Sequence, residues 1–206
     1  MYHNKKTSYI RLLHASPKAP AVDIYANGDN IIADNLSYGE FTPYLPLMPG
    51  TYTIDIYPAD STDMPILTKE LSVPEKSINT IAAIGELPNL EVFVINDPVE
   101  SLAPNSSKIR FVNLSPDSRA LDVIQPNGAV LFENIRYKDV SKYLDITPET
   151  YTVQLVATDT DEPILYVPNI KLRENAFYSL YAIGLVEGEP YIKLLIPLDG
   201  NSYINV

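Results

Sequence analysis

The chain has 206 residues, no cysteine, no tryptophan and a formal net charge of −11. That length suits one large domain or two of ordinary size, and without cysteine neither disulfides, thiol chemistry nor Cys-based zinc sites are available. The acidic balance disfavours a nucleic-acid partner, whose phosphates need a basic surface, and no apolar run is long enough for a membrane-spanning helix.

The opening MYHNKKTSYI contains the only basic cluster, Lys5-Lys6, and His3. It lacks the apolar stretch and cleavage site of a secretory signal. The expectation is a cytoplasmic protein, or one that reaches a spore or cell surface by non-standard export.

From there the chain reads as strands. Ile10 and Leu12 share a face with Arg11 opposite, and the run stops at Ser16-Pro17, since proline cannot continue a ladder. Val22 and Ile24 oppose Asp23 and Tyr25. After an Asn27-Gly28 turn comes the apolar run 31–36. In TYTIDIY, Tyr52, Ile54 and Ile56 alternate with Thr51, Thr53 and Asp55, the period of two of a half-buried strand. Further apolar runs cover 66–71, 78–84 and 90–95. Eighteen prolines and only eight glycines punctuate these runs, and no amphipathic helix of ordinary length is found.

The same order then repeats. IRLLHASP at Ile10 returns as IRFVNLSP at Ile109, AVDIY at Ala21 as ALDVI at Ala120, and PGTYTIDI at Pro49 as PETYTVQL at Pro148. AIG at Ala83 returns as AIG at Ala182. Each copy is too long for a solenoid unit. The expectation is two complete domains, residues 8–96 and 107–206, joined by a Pro-containing linker at 97–106. About seven short strands per copy indicate an all-β fold, two tandem immunoglobulin-like or transthyretin-like antiparallel β-sandwiches.

Four groups of residues invite a functional reading. His14, Ser16 and Asp23 have the types of a Ser-His-Asp site, in which a base within reach of the serine is held by an acid. The second copy keeps Ser115 and Asp122 but has Asn113, which cannot be a base, so at most one copy would be a hydrolase. A strand-ending Ser-Pro turn explains the serines of both copies equally well. Arg11 with Asp23 and Arg110 with Asp122 recur on the polar parity and are read as structural ion pairs, formed if the first two strands of each copy are neighbours. The acidic loops 58–65 and 157–163 are read as solvated hairpin tips, because neither has EF-hand spacing; two histidines do not make a transition-metal site either. No cofactor is expected.

The fourth group is the tyrosines. Tyr25, Tyr38, Tyr44, Tyr137 and Tyr143 fall at strand edges or turns, where a partly exposed ring can stack on sugar or contact a protein. Leu13 with Tyr25, and Val112 with Ile124, set apolar groups on the polar parity and mark a face for the sister domain or a partner.

HASPKAPAVDIYANG followed by LSYGEFTPYLPLMPGTYTIDIYPA resembles an uncharacterised bacterial domain family, one of unknown function, with an HASPxAPxVDVYxNG signature and a downstream PGTYTV strand. The resemblance spans both copies; the second departs at the signature, with NLSPDSRALDVIQPNG. It implies a β-sandwich, often in secreted or envelope proteins, and brings no catalytic residues. The leading expectation is therefore a non-catalytic cell-surface or spore-associated module that binds an envelope, spore or protein partner. The rivals are a carbohydrate-binding module using exposed tyrosines and a Ser16/His14 hydrolase.

Overall fold

The computed structural model describes residues 7–160 and 162–206, so His3, Lys5, Lys6 and Asp161 lie outside the described residues. The first copy forms β1 (Ser8–His14), β2 (Val22–Ala26), β3 (Asn30–Leu36), β4 (Leu45–Leu47), β5 (Gly50–Pro58), β6 (Leu67–Val73), β7 (Ile78–Ile84) and β8 (Glu91–Asn96). The second forms β9 (Ser107–Asn113), β10 (Leu121–Ile124), β11 (Val130–Ile135), β12 (Leu144–Ile146), β13 (Thr150–Ala157), β14 (Pro163–Lys171), β15 (Ala176–Ile183) and β16 (Lys193–Leu195). Each copy thus has one strand more than its periodicity announces. The additions, β4 and β12, are 3 residues long, too short to show a period.

The chain divides into two compact units. One runs to Val99 and includes Ile204–Val206; the other is Glu100–Tyr203. Each unit is a sandwich of two four-stranded sheets. In the first the orders are β4-β1-β7-β8 and β3-β2-β5-β6, and in the second β12-β9-β15-β16 and β11-β10-β13-β14. Between the sheets of the first lie Ile10, Leu12, Val22, Ile24, Ile54, Ile56 and Ile81. Ile109, Phe111, Leu121, Val123, Val153, Leu155 and Leu180 hold the matching place in the second. Each such side chain stabilises the fold by about 1.5–3 kcal/mol relative to exposure.

The strand ladders are antiparallel with two exceptions, which refine the expected antiparallel sandwich. β1 runs parallel to β7, with Tyr9 opposite Ile78 and His14 opposite Ala83, and β9 runs parallel to β15. INTIAAI, the whole of β7, is buried. A strand covered on both faces shows a continuous apolar run instead of alternation.

Two expectations fail on this topology. β1 and β2 lie in opposite sheets, as do β9 and β10. Arg11 and Asp23, and Arg110 and Asp122, therefore cannot pair across a ladder. Leu13 and Tyr25 likewise do not form one patch: Leu13 and Val112 are buried, whereas Tyr25 and Ile124 are half-exposed on the other sheet of each unit.

Candidate functional site

The opening Ser-His-Asp constellation dissolves into three separate structural tasks. Ser16 Oγ donates to the Gly85 carbonyl at 2.6 Å, tying the end of β1 to the end of β7. Its counterpart Ser115 donates to the Gly184 carbonyl at 2.7 Å. His14 is 1% exposed, and its Nε2 lies 2.8 Å from the Pro20 carbonyl. A carbonyl only accepts, so Nε2 carries the proton. The ring is edge-on to Tyr38, 6.1 Å between centroids, and Nδ1 is buried with no hydrogen-bond partner. Burial lowers the His14 pKa, opposed by the Pro20 carbonyl and the Glu40 charge. Asn113, in the same place, donates to the Ile135 carbonyl and to Ser118.

Asp23 and Asp122 are not ion-pair partners but anchors for irregular backbone. Asp23 Oδ1 accepts the amide of Asn35 at 2.8 Å and Oδ2 that of Asp60 at 3.2 Å. Asn35 sits at φ 50°, beside a register shift in the β2–β3 ladder. Asp122 takes the amide of Asn134, at φ 56°, and the hydroxyl of Thr158. Asn and Asp tolerate the left-handed region better than other side chains with a Cβ, and a carboxylate satisfies the amide that the bulge releases from the ladder. Asp117, beside a cleft of about 270 Å³, does the same for the amides of Val186 and Glu187.

The arginines are buried rather than wet. Arg11 is 3% and Arg110 1% exposed. In the first unit the segment after Glu40 lies along β1, with Leu12 N donating to Thr42 Oγ1 and Leu13 bridged to Phe41. This sets the rings of Phe41 and Tyr44 at 4.8 and 4.9 Å from the Arg11 guanidinium carbon. Arg11 Nε donates to Thr80 Oγ1 at 2.8 Å, and Tyr44 OH donates to buried Asp97 at 2.6 Å. The second unit repeats the design. Arg110 Nε donates to Ser179 Oγ at 2.6 Å and lies 3.9 Å from Asp199 Oδ2, which accepts both Ser179 and Tyr143 hydroxyls. Tyr143 stacks 4.8 Å from the same guanidinium and edge-on to Phe177. A buried charge survives only when paired and hydrogen-bonded, and here each is also stacked on an aromatic face, two for Arg11 and Tyr143 for Arg110.

All five tyrosines singled out from sequence are half-buried, but four of them have hydroxyls that are buried or bonded within the fold. Tyr44 and Tyr143 belong to these networks. Tyr38 has its hydroxyl buried, which pushes its pKa up to about 12. The Tyr137 hydroxyl is buried too, with Lys138 Nζ 5.3 Å from the ring centroid. Only Tyr25 stands on an open sheet face. It meets Tyr57 edge-to-face, with centroids 5.6 Å apart and planes at 84°.

That face is organised as a row across four strands. Ile31, Tyr25, Asp55 and Thr68 are successive cross-strand neighbours on β3, β2, β5 and β6. Thr68 Oγ1 donates to Asp55 Oδ1 at 2.6 Å. The second unit has the same row as Val130, Ile124, Gln154 and Tyr166. Ile31 is 48%, Val130 56% and Tyr166 58% exposed. Tyr57 escaped the sequence reading, although its signal is present: it shares the parity of Thr53 and Asp55, an aromatic ring on a polar face.

Among the described residues no three His, Asp or Glu side chains gather as a metal site, and no helix is long and apolar enough to cross a membrane.

Comparisons with known proteins agree with a tandem arrangement. Residues 8–124 and 116–202 each match the model of the Domain of unknown function (DUF4397). No curated protein matches. Among solved structures, the Bacillus anthracis TIE protein is 12% identical with a TM-score of 0.29, over 85% of this chain and 33% of that one. The family CBM26 module CBMbc of Eubacterium rectale Amy13K, in complex with maltoheptaose, is 10% identical with a TM-score of 0.28, over 95% of this chain and 99% of that one. A streptococcal virulence factor described by its alpha-glucan binding is 12% identical with a TM-score of 0.28, over 97% and 100%. The chain belongs to the DUF4397 family.

Proposed function

We propose that this member of the DUF4397 family is a non-catalytic binding module of a cell or spore surface, engaging its partner through the outer faces of its β2- and β10-containing sheets. One observation carries the reading. Ser16, His14 and Asp23 are each committed to a backbone group, whereas a cross-strand row at the same positions lies on the outer sheet face of both units. Catalytic machinery needs a nucleophile and base in mutual reach; a binding face needs accessible rings and few commitments.

Co-sedimentation of the intact chain with insoluble envelopes and spores of its source, before and after protease treatment of the particles, tests this. Saturable binding is expected. No binding to any particle refutes it, as does esterase or peptidase activity lost on Ser16→Ala and kept on Ser115→Ala. A carbohydrate as the partner is favoured by the tyrosine pair on the first unit.

A further inference from the structure

We infer that the outer face of the first unit is a binding site for a neutral glycan, centred on Tyr25, Tyr57 and Asp55. This rests on the binding-module reading above and names the ligand class for one of its two faces.

The side chains there have unspent capacity of the right kind. The tyrosine planes stand at 84°, so one ring can lie flat under the C–H face of a pyranose while the other walls the site. Among the described residues neither hydroxyl has a hydrogen-bond partner, in contrast to Tyr44 and Tyr143, whose hydroxyls are held by Asp97 and Asp199. Asp55, directly across from Tyr25, uses Oδ1 for the Thr68 hydroxyl. That bond fixes the carboxylate rotamer and leaves Oδ2 as an acceptor beside the rings. Two donors, one oriented acceptor and an aromatic floor are what a polyhydroxylated ring requires. A ligand of this sort is bound by stacking together with a few placed polar groups.

The charge on the face narrows the class. Glu70 opposes Thr53 next to Asp55 on the same ladder, and the chain as a whole carries −11. An anionic polymer would meet repulsion from both carboxylates. A protein partner is the poorer match, because interface centres are depleted of charge and here the centre is a carboxylate. The second unit lacks the constellation. Ile124 stands for Tyr25, Gln154 for Asp55 and Val156 for Tyr57, which leaves Tyr166 as that face's single open ring.

The test is affinity electrophoresis of the full chain in native gels, each cast with one soluble polymer: a β-glucan, an α-glucan, a mannan, a xylan, or polygalacturonate as the anionic control. The expected result is retardation by at least one neutral polymer and none by polygalacturonate. Tyr57→Ala and Asp55→Asn should each weaken the apparent affinity by about ten-fold or more, Tyr57→Phe, which keeps the ring and loses the donor, should weaken it less than Tyr57→Ala, and Tyr166→Ala should leave it unchanged. Retardation by none of the neutral polymers overturns the assignment, as does retardation insensitive to Tyr57→Ala. Particle binding that is lost on protease treatment, together with no retardation, would leave the binding-module reading standing and the glycan assignment refuted. Should Tyr57→Ala unfold, Asp55→Asn still decides: retardation unchanged by it overturns the assignment.

Discussion

Arg110→Ala will cost the second unit far more than an arginine deletion on a polar face. Arg110 is 1% and Asp199 0% exposed. The carboxylate of Asp199 keeps two hydroxyl donors, Tyr143 at 2.7 Å and Ser179 at 2.6 Å, after the guanidinium 3.9 Å away is removed. Hydroxyls do not neutralise a buried charge. Breaking such a pair costs about 3–5 kcal/mol, a large part of the roughly 5–15 kcal/mol that holds a domain together. The guanidinium also stacks on the Tyr143 ring, and loss of that contact acts in the same direction. Urea unfolding gives the magnitude, and hydrogen exchange locates it: protection should fall in β9 and β15 while β1 and β7 keep theirs. Arg119→Ala, which breaks an exposed pair with Asp159 (65% and 60% exposed), should stay within about 0.5 kcal/mol. A loss below about 1 kcal/mol for Arg110→Ala, the value of an exposed pair, would refute the network as a stabilising unit.

Acid should weaken the first unit through His14. Its folded pKa is lowered by burial, so below about pH 6.5 the unfolded chain takes a proton that the folded chain refuses. Stability then falls with pH by at most about 1.4 kcal/mol per unit, until the folded pKa is reached. His14→Asn, the residue of the second copy, removes that slope; equal changes in urea midpoint between pH 7.5 and 5 for both proteins would contradict it. Gly184→Ala should be much worse than Gly28→Ala. A Cβ at Gly184, φ +95°, would stand 2.6 Å from the Tyr191 carbonyl oxygen, whereas at Gly28, φ +85°, nothing lies within 4 Å. The expected losses are roughly 2–5 kcal/mol against about 1 kcal/mol, and equal shifts in thermal midpoint would sink the argument.

The longer duplicated strands, their core-facing residues and the Ser-Pro stops were legible in the sequence, because period-two patterns are local; the short β4 and β12 and the burial of the Arg11 and Arg110 faces were not. Partnership between strands was not. Consecutive strands are usually neighbours, and that default put β1 beside β2 and made ion pairs of Arg11 and Asp23. Nothing local announces that β1 instead pairs with a strand 69 residues away, a separation that the Arg11–Thr80 and Ser16–Gly85 bonds share. Nor does an alternating arginine reveal that a later loop will cover it with Phe41 and Tyr44. The tyrosines divided for the same reason. Tyr44 and Tyr143 were claimed by aspartates that follow at |i−j| of 53 and 56, whereas Tyr25 meets Tyr57, two strand positions from its cross-strand neighbour Asp55.

The parallel β1–β7 ladder has a consequence for synthesis. A ribosome delivers β1 first and its central partner only after β2 to β6 have emerged, so one long edge of β1 has no ladder until then. At about 5–20 residues per second, the 69-residue wait implied by the Ser16–Gly85 bond is some seconds long. The duplicate architecture imposes the same interval again, since Ser115 bonds Gly184 across an equal separation. Two exposed nascent edges of related sequence, IRLL and IRFV, are then made one after the other on a single chain. Exchange of β7 and β15 between copies is the misfolding route this arrangement favours. What opposes the exchange is volume: Ile78, Asn79 and Ala82 of β7 stand where β15 carries the rings of Phe177, Tyr178 and Tyr181.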